Sequence, residues 1–242
     1  MESVEHDSFD VVSPRGKVVG PSGTSGEAPE PGYEPSRVVC RGSYDEVLDY
    51  LDQRMWTDGL PIVPPTIPRI ERMLTHTHRE PAEVIGAVGD EGIEATVWNT
   101  AVNAVMAGCR DQDFPIVLTL VEILADPAFR IRDAGSTTGW EVLALVSGPD
   151  LPERGFNTET GVMRLGRRAN SSIGRFTRLW IRNIAGLLIP PGTRIWPPSG
   201  SPSTLPWRKV TRLRGSSAGR PAAKNGVTHQ LTSSSRRRAS SG

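Results

Sequence analysis

The chain has 242 residues, 37% of them apolar, with 25 glycines and 21 prolines, so it fits one ordinary domain with extensive loops or tails. Two cysteines, Cys40 and Cys109, exclude a disulfide framework and a closed Cys-rich zinc site, and no apolar run reaches the ~18–20 residues that span a bilayer. The net charge of +1 hides an asymmetry: all 27 acidic residues lie at or before Glu159, and residues 160–242 hold 16 basic residues and no acid.

Residues 1–42 read as a disordered leader. The first 36 carry five Gly and five Pro among few large apolar side chains, too little burial to offset the entropy of ordering. Within them VVSPRGKVVG has the composition of a short strand. Order is expected from Ser43. Ser43 and Glu46 have capping-box spacing, and Tyr44, Val47, Leu48, Leu51 and Met55 follow at helical spacing, which predicts a helix ending near Trp56. DGLPIVPPT is held extended or in turns by its prolines. Thr66 is placed to cap a second helix from Ile67 to about Thr75, with Pro68 in its first turn.

Val84–Val88 reads as a strand ending at Gly89. Glu94 to Ala107 reads as a helix with Ala95, Trp98, Val102, Val105 and Met106 on one face, closed by Gly108. Asp113 is placed to cap a helix from Phe114 to about Ala125. Trp140–Val146 reads as a buried strand, and Ser171 or Ser172 caps a last helix that runs to Gly186. Together these predict a single compact α/β or α+β domain over residues 43–192, with a small sheet and four to five helices. From Thr193 the periodicity vanishes into a disordered basic tail closing with SSSRRRASSG.

Several residues are candidates for chemistry. Cys109, just past Gly108, is either a nucleophile or a small buried side chain. Arg110 lowers its pKa, a helix C-terminus raises it, and the start of the following helix works in the first direction. Asn99 and Asn103 lie four apart on one helical face, as a polar lining for substrate or as structural hydrogen-bond partners. Thr137 and Thr138, in GSTTG, can aim hydroxyls and backbone N–H groups at an anion, or form an ordinary turn. In GRRANSSIGR, Asn170, Ser171 and Ser172 sit at a helix start that favours a carboxylate or phosphate, and Arg167, Arg168 and Arg175 add positive charge. The alternative there is a capped helix with solvated arginines. His76 and His78 lack a third ligand, so no metal is expected, and no cofactor signature is present.

Three segments, DGLPIVPPTIPRIERML, NAVMAGCRDQDFPIVLTLVEIL and GRRANSSIGRFTRLWIRNIAG, resemble the uncharacterised module of UGSC-type proteins and their relatives, over about residues 43–192. That family is named for a selenocysteine-or-cysteine motif, and the resemblance implies thiol-based redox chemistry, with Gly108-Cys109 and Asn170–Arg175 as the matching features. No GSC triplet occurs in this chain, so the selenocysteine-type centre is not carried over. The segment after the GC pair also departs from the family pattern, reading Arg110-Asp111-Gln112-Asp113-Phe114-Pro115. Relatives continue past the position of Pro191-Gly192 with an acidic, ordered end. The acid-free tail therefore leads to the hypothesis that residues from about Thr193 are out of frame or come from a wrong gene end; a clean in-frame resequencing read through residue 242 refutes it.

Two functional readings follow. One is a cysteine-dependent enzyme, oxidoreductase or lyase, in which Cys109 acts on a small anionic substrate held by Asn99, Asn103, Thr137, Thr138, Asn170, Ser171 and Arg175. It needs no cofactor, and it lacks an evident base unless His76 or His78 is folded into place. The other is a non-catalytic module that binds a small anion or a partner chain. A homo-oligomer or a UGSC-type chain is the protein partner either reading allows. Nucleic acid is disfavoured as a partner, because the arginines of the tail accompany no recognised motif. The acidic start lacks a signal pattern, which gives a cytoplasmic expectation and no membrane partner.

Overall fold

A computed structural model describes residues 8–17, 34–88, 93–131, 142–162, 164 and 166–186. Among these residues there are five α-helices and two antiparallel two-stranded ladders, an α+β arrangement with no parallel pairing. No helix of the described residues is long and apolar enough to cross a membrane. Thr137, Thr138, Trp140 and the tail from Thr193 lie outside the described residues.

The expected leader contributes structure. Strand β1, Phe9–Val12, pairs with β2, Val38–Gly42, through Phe9↔Gly42, Asp10↔Arg41 and Val11↔Cys40, with a bulge before Val12. Val11 and Val12 are completely buried, and this apolar pair anchors a segment otherwise too poor in large side chains to order itself. The Val12 N–H donates to the Pro65 carbonyl at 3.1 Å, which ties β1 to the proline-rich segment.

Helix α1, Tyr44–Gln53, starts in the expected capping box: Glu46 N–H donates to Ser43 Oγ and Ser43 N–H donates to Glu46 Oε2. Val47 and Leu51 face the core. The segment after it stays extended, with Ile62, Pro64 and Pro65 buried and Val63 N–H donating to the Met106 carbonyl. Helix α2, Ile67–Leu74, has Pro68 in its first turn as expected, but the Thr66 hydroxyl makes no cap.

Strand β3, Val84–Val88, is where the apolar run places it, and it pairs with β4, Ile93–Thr96, which replaces the expected first turn of the next helix. The reason is local. Thr96 and Asn99 form a reciprocal capping box, so the helix cannot start before Val97. Helix α3, Val97–Met106, is buried on every side and packs against α2, helix α4, Phe114–Ala125, and helix α5, Arg168–Asn183. At Gly108, φ is +78°; Gly108 N–H donates to Val105 O and Cys109 N–H to Ala104 O, a Schellman closure that turns the chain away from α3.

Two further expectations are corrected. Val142–Val146 forms no strand: Leu143 and Leu145 are exposed and only Ala144 is buried, so the apolar run is not covered on both faces by the described residues. Helix α5, Arg168–Asn183, starts before Ser171 and Ser172, so neither caps it; the Ser172 hydroxyl instead donates back to the Arg168 carbonyl at 2.7 Å. Its buried face carries Ala169, Ile173, Phe176 and Trp180 against α3, two of them large aromatic side chains that bury much of the core area.

Candidate functional site

Among the described residues, those proposed from the sequence do not converge on one hollow. Asn99 and Asn103 are completely buried and structural. Asn99 caps α3 and donates through Nδ2 to the Glu94 carbonyl at 2.8 Å. Asn103 Nδ2 donates to Pro14 O at 2.9 Å and Asn99 O at 2.8 Å, while its Oδ1 accepts from Asn183 Nδ2 at 2.8 Å. Gly16 closes over them: a Cβ there would lie 2.6 Å from Asn99 Nδ2 and 2.3 Å from the Glu94 carbonyl. The N-terminal segment therefore occupies the amide face that was expected to hold substrate.

Arg175 also has a structural task. Its Nε and Nη2 grip Asp58 at 2.9 and 2.7 Å, and Nη2 donates again to the Leu60 carbonyl. Asp58 is 2% exposed, so this bidentate pair clamps α5 to the turn after α1. Asn170 Oδ1 accepts from the Asn157 N–H at 2.8 Å and lines a separate small hollow with Phe156, Ile173 and Gly174. Ser171 lies in the first turn of α5, half-buried.

Cys109 does reach a cavity. About 350 Å³ of space opens where the end of α3, the start of α5 and one face of α2 meet. Cys109 lines it together with Arg69, Arg72, His76, Arg110 and Arg168, and Val63, Met73 and Val105 supply apolar wall. Cys109 is 4% exposed. Burial pushes its pKa up to about 12; Asp113 pushes the same way, and the Ser172 hydroxyl, Arg168 and Arg110 offset only part of it. At neutral pH the group is a thiol. Desolvation outweighs the positive groups near the sulfur.

The cations around the cavity are held in two ways. Arg110 donates from Nε and Nη2 to both carboxylate oxygens of Asp113, at 2.8 and 2.9 Å, and Asp113 is completely buried. This pairing is why Asp113 makes no side-chain cap on α4. Arg72 Nε donates to Asp111 Oδ2 at 2.7 Å. By contrast, Arg69 Nη1 donates to the Pro64 carbonyl while its guanidinium stands 5.4 Å from the Phe9 ring centroid, and Arg168 Nε donates to the Gly108 carbonyl at 2.9 Å. A carbonyl fixes a guanidinium without cancelling its charge.

Cys109, Arg110, Arg168 and, as a base, His76 are candidates from the sequence, whereas Arg69 and Arg72 are not among them. The signal was present: Arg69 and Arg72 are three apart and His76 four further on, a helical face. Among the described residues no group of three or more His, Cys, Asp or Glu is placed to hold a metal. No protein-family model, curated protein or solved structure matches this chain.

Proposed function

We propose that the protein is a non-catalytic module that binds a small anion in the cavity beside Cys109. The observation that carries this reading is the pair of guanidinium groups, Arg69 and Arg168, fixed by backbone carbonyls at the rim of a roughly 350 Å³ space. Preset cations need little reorganisation when an anion arrives. The protonated thiol fits the same purpose. A thiolate beside a bound anion is a like-charge pair, and burial removes that conflict by keeping the sulfur neutral.

The test is thermal unfolding of the full chain with increasing inorganic phosphate, against chloride at matched ionic strength. Specific binding raises the midpoint with ligand concentration, and Cys109→Ser keeps the effect. An equal midpoint in phosphate and chloride refutes the reading.

The thiol-enzyme reading retains one specific support: His76 lines the same cavity as Cys109, which supplies the base the sequence lacked. Iodoacetamide labelling across pH separates the two. An apparent Cys109 pKa below the free-thiol value of about 8.5 favours the enzyme, and labelling that rises only at strongly alkaline pH favours the binding module.

A further inference from the structure

We propose that the anion is a small organic dianion, two negative charges on a short carbon body, an inference that rests on the anion-binding reading above. Four guanidinium groups line the cavity, from Arg69, Arg72, Arg110 and Arg168. Two are matched locally, Arg72 by Asp111 and Arg110 by Asp113. The other two bond to carbonyl oxygens, which occupy donors but leave the charge. The local surplus is therefore two positive charges.

The helix ends do not change that count. The C-terminus of α3 reaches the cavity at Gly108 and the N-terminus of α5 at Arg168, and their partial charges are of opposite sign. The buried thiol adds no charge. A monoanion leaves one guanidinium uncompensated, whereas a dianion matches both. The remaining lining is mixed: Val63, Met73 and Val105 give a carbon body an apolar wall, beside His76, Gln112 and Asp111, whose carboxylate is taken by Arg72. The space of about 350 Å³ is at the small end of ordinary ligand sites and exceeds what a bare oxyanion fills.

Succinate and butyrate share a four-carbon chain and differ by one carboxylate, so they isolate the second charge. Binding of each to the full-length protein is measured by calorimetry at about pH 8 and fixed ionic strength, with inorganic phosphate as the phosphoryl arm. Succinate is expected to bind at least about tenfold more tightly than butyrate and more tightly than phosphate. Phosphate binding tightly where succinate does not overturns the organic-dianion inference and leaves the anion-binding reading standing. Arg168→Gln is expected to lower dianion affinity about tenfold and bring it toward butyrate, with partial recovery in Arg168→Lys. Arg41→Gln, at an exposed ion pair with Asp10 that does not line the cavity, leaves it unchanged. Butyrate binding as tightly as both dianions overturns the dianion inference while the anion-binding reading stands. Wild-type affinity in Arg168→Gln, or no binding of any anion, overturns both.

Discussion

Replacing Cys109 by Ala should flatten the loss of stability at alkaline pH. In the folded chain burial pushes this thiol up to about 12, against an ordinary value of 9.0. Below about pH 9 both folded and unfolded thiols are protonated, and the group contributes nothing to pH dependence. Above it the unfolded thiol loses its proton while the buried one keeps it. The folded state then binds more protons, so stability falls as pH rises toward about 12. The gap corresponds to ~4 kcal/mol in full, of which ~1.4 kcal/mol is already lost at pH 10. Urea unfolding at a series of pH values from 7 to 10 measures it in wild type and Cys109→Ala. Cys40, whose pKa is raised by burial and by Glu46, shifts both proteins in the same direction, so the difference in slope isolates residue 109. Identical slopes in the two proteins would falsify the account of a desolvated, protonated sulfur.

Other contacts predict further outcomes. Asp58→Ala leaves Arg175 without its carboxylate in a mostly buried position, and urea unfolding should show a loss of about 3 kcal/mol. Gly108→Ala should cost about 1–2 kcal/mol in the same assay. Its φ is +78° and the nearest atom to an added Cβ is Val63 Cγ2 at 3.7 Å, so the cost is conformational and not a clash. Asn103→Ala strips the Pro14 carbonyl of its donor and Asn183 Nδ2 of an acceptor, about 3 kcal/mol in all. It should also speed trypsin cleavage at Arg15 or Lys17, because the segment over α3 loses its latch.

Periodicity located α1, α2, β3, α4 and α5 because their apolar spacing is strong and their neighbours do not contradict it. β4 escaped because Glu94 and Ala95 suit a helix as well as a strand, and the Thr96-x-x-Asn99 capping pair uses Asn where Glu or Gln usually stands. β1 overlaps the VVSPRGKVVG patch that reads as a short strand only at Val11 and Val12, and its placement over Phe9–Val12 depends on Pro65, Thr66 and β2, far away in sequence. The amides of Asn99 and Asn103 were correctly read as a polar patch inside an apolar helix. What filled that patch was a backbone segment some 89 positions upstream of Asn103, and no local pattern encodes such a partner. Arg175 followed the same course, since its carboxylate comes from Asp58 across the core.

The position of Arg168 explains why Cys109 can be near so much positive charge and still remain a thiol. The carbonyls at the end of α3 are left without intrahelical donors, and the Schellman closure satisfies those of Ala104 and Val105. The Gly108 carbonyl then takes Arg168 Nε, which draws the guanidinium onto the negative end of α3 instead of onto the sulfur. Arg110 is drawn away in turn by the buried carboxylate of Asp113. Burial of the sulfur outweighs the help that Ser172, Arg168 and Arg110 give the thiolate. The balance goes against the thiolate, and the charge of Arg168, still uncancelled, faces whatever enters the cavity.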